Sequence, residues 1–256
     1  MQKINLEKAF IVIDFDHTVT SKNSKTSWDV IGETKTLPKE YKEECLKAKD
    51  YYLPIEKSHN ISFDEKARLM KKWYEDHLNL LVKYKLDKKS IDEIIFRKDS
   101  MTFRKSAQKF LKYSFEKNIP VIIVSAGIEN AIEAFLEKNN CLYDNVYILS
   151  NKLKFKDGIV VGCENEVIHS LKKGDIDIPS NIKKILKNRD NLILLGDNIS
   201  DILMADNYKY KKILKIGFLN IKSESYQEYL NNFDILYEGN DSFDKVINIL
   251  EKEINN

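Results

Sequence analysis

Three short apolar runs punctuate the chain: AFIVID ending at Asp14, IPVIIVS ending at Ser125 and NLILLGD ending at Asp197. Each is rich in Ile, Val or Leu and bounded by polar segments, the pattern of strands buried on both faces. Between and after them, apolar positions recur at helical spacing over Phe103 to Lys117, Glu129 to Lys138, Ile182 to Leu186 and Asp201 to Ala205. Further strands are expected at Val146 to Leu149, Ile213 to Ile216 and Phe233 to Tyr237, followed by a closing amphipathic helix near Asp241 to Ile254. Strand alternating with helix predicts an α/β fold with a Rossmann-like parallel sheet sandwiched by helices.

From about Thr20 to Lys98 that rhythm breaks. Long charged helical patterns occupy Lys39 to Tyr51, Ser62 to Tyr84 and Lys88 to Phe96, with no comparable apolar run. The expectation is an inserted helical cap over residues 21–98, with residues 1–20 and 99–256 forming the α/β core. Leu153 to Val161 alternates around Asp157-Gly158 and reads as a β-hairpin.

Composition narrows the class without choosing a function. Hydrophobic residues make up 43% and charged residues 32% of 256 residues, a globular balance that argues against disorder. Lys+Arg 42 against Asp+Glu 40 gives no global basic field for nucleic acid or an anionic membrane. Cys45, Cys141 and Cys163 are scattered and odd in number, which argues against a disulfide scaffold or zinc ribbon. With no signal-like N-terminus and no membrane-length apolar run, a cytoplasmic monomer is expected.

The chemistry lies where the three runs end. Ligands of an open parallel sheet bind beyond the carboxyl ends of its strands, at the topological switch point. Those ends carry Asp14 with Asp16, then Ser125, then Asp197 with Asp201. Two carboxylates two residues apart reach one crevice only if strand alternation breaks after Asp14, which His17 and Thr18 would permit. One carboxylate can then attack phosphorus while the other protonates the leaving oxygen and later activates water. Asp197 would complete an oxygen-only cation site suited to Mg2+, needed because a carboxylate and a phosphate otherwise repel each other. Ser125-Ala126-Gly127, between a strand and a helix N-terminus, offers an anion site; Gly174 and Gly196 sit beside the other candidate residues.

Asp14-Phe15-Asp16-His17-Thr18-Val19-Thr20, Ser125, a lysine within Lys172-Lys173-Gly174-Asp175, and Gly196-Asp197-Asn198-Ile199-Ser200-Asp201 resemble the four motifs of haloacid-dehalogenase superfamily phosphohydrolases. A narrower resemblance, to the cytosolic pyrimidine 5′-nucleotidase (type III) family, spans nearly the whole chain. It is carried by Tyr51 to Glu56, Glu65-Lys66 through Trp73-Tyr74, Ile119 to Gly127, Glu166 to His169, Asn191 to Asp197, Met204 to Asp206 and Leu214 to Asn220. The resemblance implies Asp14 as nucleophile, Asp16 as acid-base group, Ser125, Ala126 and Gly127 around the phosphate, and Lys173 as charge stabiliser, with Lys172 its neighbouring alternative. It implies Mg2+ held by Asp14, the Asp16 carbonyl and Asp197, with Asp201 supporting metal and lysine. In the cap it implies Glu56 reading a nucleobase and Trp73 and Tyr74 lining the same pocket. The sequence departs from that family over Lys22 to Glu33, which is short and contains Trp28, and this leaves base selectivity open.

Simpler roles stand beside these. Trp73 and Tyr74 share a helical pattern with Leu69 and Met70, so Trp73 serves a core equally well. His17, His59, His77 and His169 lack metal-ligand spacing and read as surface or structural, with His17 alone bordering the site. The leading expectation is a Mg2+-dependent phosphomonoesterase acting on a nucleoside 5′-monophosphate. The alternatives are a phosphatase for another small ester such as phosphoserine, or a catalytically silent binding protein.

Overall fold

The computed structural model describes residues 3–58, 60–97, 100–221, 226–239 and 241–254; His59 and the expected core–cap boundary at 98/99 lie outside the described residues. Six parallel strands form the central sheet: β1 (Ala9–Ile13), β2 (Val121–Ile128), β3 (Val146–Asn151), then, after the hairpin of β4 (Leu153–Lys156) and β5 (Ile159–Cys163), β6 (Asn191–Gly196), β7 (Lys212–Leu219) and β8 (Ile235–Glu238). Their order is β3-β2-β1-β6-β7-β8. The chain therefore winds outward in both directions from β1 and β6, and the switch point lies between them.

Alternation along the strands explains why these runs are apolar throughout. Ile11, Ile13, Ile123, Ile193 and Leu195 pack into one buried cluster, while Phe10, Val12, Ile122, Leu192 and Leu194 pack into another on the opposite face. Helices cover both faces, so neither parity can be polar.

The inserted stretch supplies α1 (Ser27–Gly32), α2 (Lys39–Lys57), α3 (Phe63–Lys83) and α4 (Lys88–Ile95); α5 (Ala107–Glu116), α6 (Glu129–Lys138), α7 (Ser180–Ile185), α8 (Tyr226–Asn232) and α9 (Phe243–Ile254) complete the chain. α2 runs on past the expected end at Tyr51 to Lys57, carrying Pro54 inside it. Pro54 removes one N–H and crowds the carbonyl four residues back, yet it stands in the last turn, where little helix remains to be disrupted. α5 starts at Ala107 rather than Phe103, because Phe103 pairs antiparallel with Thr20 and Arg104 N–H donates to the Val19 carbonyl. The Asp201 to Ala205 segment is 3-10 rather than α-helical and longer than expected, Ile199–Asn207.

An isolated antiparallel bridge between Thr20 and Phe103 forms the neck through which the inserted helices leave and rejoin the sheet, tightened by Ser21 N–H to Thr102 O at 2.9 Å. Buried Tyr41, Leu78, Leu81, Ile91 and Ile95 from the insertion join the cluster on one face of the sheet. The hairpin touches the insertion too: Lys88 N–H donates to Gly158 O and Val160 N–H to Leu86 O.

Candidate active site

Asp14 leaves β1 at the switch point, and the turn after it sets where the second carboxylate points. Phe15–Val19 is a wide turn in which His17 adopts a left-handed backbone, φ +64°. That reversal breaks strand alternation, so Asp14 and Asp16 both line one crevice of about 430 Å3 with Ser125, Lys173, Asp197 and Asp201.

Asp14 is 4% exposed and receives Lys173 Nζ at 2.5 Å; the same ammonium donates to Asp201 Oδ1 at 2.6 Å. Burial pushes the Asp14 carboxyl up to about 6 even against the pull of Lys173. Burial likewise opposes charge on Lys173, but Asp14 and Asp201 outweigh it and hold the ammonium above its ordinary value. Lys172 points elsewhere, to Glu166 at 2.7 Å. The loop fixes this choice: Asn207 Nδ2 donates to the Lys173 carbonyl at 2.6 Å, and a side chain on Gly174 would stand 2.7 Å from the Leu203 carbonyl.

Asp16 meets a different environment. Ser27 N–H and Oγ–H donate to its two oxygens, each at 3.0 Å. Burial, then the negative charge of Asp14, raise the Asp16 carboxyl to about 7. Asp197 also lies well above the usual carboxylate range, through burial and its neighbours Asp14 and Asp201. Thr18 Oγ1 and Asn220 Nδ2 donate to its two oxygens, at 3.2 and 2.8 Å. Asp201, fully buried, turns its other oxygen to the N–H groups of Asp197 and Asn198, at 3.0 and 2.9 Å.

Oxygens of Asp14, Asp197 and Asp201 all come within 4.8 Å of one another. Lys173 bonds to Asp14 and Asp201, and Asp197 has no ion-pair partner among the described residues, so carboxylates outnumber the cations bonded to them. An oxygen-only donor set with that charge fits a hard divalent cation such as Mg2+.

β2 continues past Ser125 to Ile128, regaining register with Asn151 after an irregularity. Gly127 N–H donates to Ser125 Oγ at 3.0 Å. A Cβ on Gly127 would stand 2.2 Å from Ser27 Oγ and 3.0 Å from Asp16 Oδ2, so only glycine lets this strand end approach them.

Aromatic rings from the insertion wall the outer crevice. Trp73 and Tyr74 both line it. Glu56 is not among its lining residues; Glu56 Oε1 accepts from Ser170 Oγ at 2.6 Å, and Ser170 lines the wall. Two further rings were not anticipated as site residues. Trp28 stacks on His77, centroids 5.1 Å apart and planes 14° from parallel, and its Nε1–H donates to Ala126 O at 3.0 Å. His17 therefore does not border the site alone, because His77 lines it as well. His169 is buried and Leu171 N–H donates to its Nδ1. Ser27, Trp28 and His77 carry no motif; the local signal near them is a helix-capping pair, Thr26 with Asp29, which bounds Ser27 and Trp28.

The sequence matches the pyrimidine 5′-nucleotidase (UMPH-1) family over residues 15–254. The chain belongs to that family. It is 31% identical over 250 residues to human 7-methylguanosine phosphate-specific 5′-nucleotidase, covering 94% of this chain and 83% of that one. Its structure is similar to that of cytosolic 5′-nucleotidase IIIB bound to cytidine, with a TM-score of 0.87, 27% identity and coverage of 98% and 88% of the two chains. It shares its fold alone with a substrate-bound phosphoserine phosphatase, at a TM-score of 0.61, 23% identity and coverage of 98% and 99%. As a member of this family the chain is a phosphoric monoester hydrolase. Among the described residues, no helix is long and apolar enough to cross a membrane.

Proposed function

We propose that this family member hydrolyses a nucleoside 5′-monophosphate in a Mg2+-dependent, two-step reaction through an aspartyl-phosphate on Asp14. The observation that carries this reading is the unequal treatment of two neighbouring carboxyls, Asp14 gripped by Lys173 and Asp16 bonded to Ser27 and raised to about 7.

In the first step an Asp14 oxygen attacks phosphorus in line with the ester bond. Asp16, protonated near neutral pH, gives its proton to the departing nucleoside oxygen. In the second step the Asp16 carboxylate takes a proton from water, the water oxygen bonds to phosphorus, and the Asp14–phosphorus bond breaks to release phosphate. Gly127 N–H already donates to Ser125 Oγ, so the Ser125 hydroxyl proton is left for a phosphoryl oxygen. Lys173 balances charge at Asp14, and Asp201 holds Lys173 in place. Asp14, the Asp16 carbonyl and Asp197 would hold Mg2+, which when bound offsets the repulsion between nucleophile and phosphate and polarises the phosphoryl group.

The inserted helices select the leaving group in this reading. Trp28, Tyr74, His77 and Trp73 give the crevice an aromatic wall, and burial pushes His77 down to about 4, so its ring is neutral at physiological pH and tolerates a cationic base. Trp73 Nε1 is buried with no acceptor among the described residues, a donor suited to a base or ribose oxygen. Glu56 accepts from Ser170, which leaves the Ser170 oxygen as an acceptor for a base N–H. The human relative is named for 7-methylguanosine phosphate, and the similar structure holds cytidine; both are nucleosides with such an N–H edge.

Phosphate release from CMP, UMP, 7-methyl-GMP, phosphoserine and p-nitrophenyl phosphate, with and without Mg2+, tests the proposal. Preference for a nucleotide supports it. Preference for phosphoserine refutes the nucleotide assignment, and no release from any ester refutes the catalytic assignment.

A further inference from the structure

Arg104 is fully buried, yet it makes no part of the crevice wall. Its Nε–H donates to the Thr18 carbonyl at 2.9 Å, one Nη to the Gly239 carbonyl at 3.2 Å, and the other Nη to the His17 carbonyl at 2.5 Å and Asn220 Oδ1 at 2.8 Å. The guanidinium lies over the Phe218 ring, 4.3 Å from its centre. Every one of these acceptors is uncharged. A buried guanidinium without a hydrogen-bonded carboxylate is costly, and burial lowers its pKa to about 10.

What the cost secures is visible in the partners. The His17 carbonyl receives both Arg104 and Asn220 Nδ2, the latter at 3.0 Å, and His17 is the residue in left-handed conformation that brings Asp14 and Asp16 to one side. Asn220 is held through its Oδ1 by Arg104, which fixes its amide so that Nδ2 also faces Asp197 Oδ2 at 2.8 Å. Thr18, gripped at its carbonyl by Arg104, donates through Oγ1 to the other Asp197 oxygen. Both oxygens of Asp197 are therefore oriented by groups that Arg104 holds. The same residue sits at the neck, next to Phe103, where the inserted helices rejoin the core.

We propose that Arg104 and Asn220 are positioning residues: together they fix the Asp197 carboxylate and the His17 turn in the geometry that binds the divalent cation. This rests on the assignment of Asp197 to the cation site. Outer-shell partners of ligating carboxylates commonly change metal affinity by ~10 to 100-fold. Asn220→Ala should remove the Nδ2 donor while leaving the Arg104 bonds to His17 and Thr18, and Arg104→Lys should keep the charge but lose the fork.

The test is Mn2+ binding, followed by electron paramagnetic resonance of the free ion, on wild type and on folded Asn220→Ala, with melting temperature and circular dichroism recorded alongside. The expected result is at least about 10-fold weaker Mn2+ binding in Asn220→Ala with secondary structure unchanged. If Arg104→Lys folds, its Mn2+ affinity should fall as well; if it does not fold, Asn220→Ala decides the matter. Unchanged Mn2+ affinity in Asn220→Ala overturns the proposal and leaves the cation site standing. A wild-type chain that binds no Mn2+ overturns both.

Discussion

Removing one hydroxyl, that of Ser27, isolates the acid-base role proposed for Asp16. Ser27→Ala keeps the backbone donor to Asp16 Oδ1 but deletes the Oγ donor to Oδ2, and both bonds lower the Asp16 pKa against burial and Asp14. A hydrogen bond to a charged group contributes about 1.5 to 3 kcal/mol, and 1.36 kcal/mol is one pKa unit. Loss of this bond from the ionised form should raise the Asp16 pKa by roughly one unit or more from its starting value of about 7. Leaving-group protonation needs Asp16 protonated, so the alkaline fall of kcat/KM reports its ionisation, and a higher pKa moves that fall to higher pH. The assay is kcat/KM for a nucleoside monophosphate between pH 5 and 9 at saturating Mg2+, as a wild-type and Ser27→Ala pair. p-Nitrophenyl phosphate serves as control, because its stabilised phenolate needs little protonation and its alkaline limb should move far less. An unmoved limb with the nucleotide, or one moved to lower pH, refutes the acid role of Asp16. The same variant also deprives Ile128 N–H of Ser27 Oγ, its acceptor at 3.1 Å, so a melting temperature lowered by the equivalent of ~1 kcal/mol is expected.

Asp14→Asn should abolish turnover and keep the fold, since Lys173 retains Asp201 as a partner; single-turnover rates near wild type would remove the covalent step. Gly127→Ala should lower kcat by ~100-fold or more, the cost of misplacing reacting groups by about an ångström, because its Cβ would collide with Ser27 Oγ at 2.2 Å; a normal kcat with a normal melting temperature refutes the close-packing argument. Glu56→Ala should reduce kcat/KM for the preferred nucleotide about 10-fold, or 1.4 kcal/mol, and leave p-nitrophenyl phosphate near wild type; an equal loss on both assigns Glu56 to the fold. Exhaustive chelation should silence hydrolysis and Mg2+ restore it, with Ca2+ a poor substitute because of its looser oxygen shell; activity that survives chelation removes the cation from the reaction.

The sequence by itself determined the core. Runs of four or five mostly aliphatic residues, too short for a helix and bounded by polar segments, read as strands buried on both faces; Asp14 and Asp197 directly follow β1 and β6, and Ser125 stands in the adjacent β2 where its regular pairing with β3 breaks. Convergence of those residues comes from parallel-sheet topology, which places all carboxyl ends at one edge. Tertiary structure decided what is local to no segment. Lys172 and Lys173 are chemically identical in sequence, and only the seating of their loop on Asn207 and Leu203 turns Lys173 toward Asp14. Ser27, Trp28 and His77 are ordinary positions along the chain. They reach Asp16, Ala126 and one another only when the inserted helices fold back over the sheet. Arg104 carries no motif, because its partners are backbone carbonyls and an amide 86, 87, 116 and 135 residues away. Glu56 marks the limit of reading by segment, since its partner Ser170 comes from a core loop 114 residues further on. Strand ends are written in local hydrophobicity, whereas the walls of a site between two layers depend on how those layers pack.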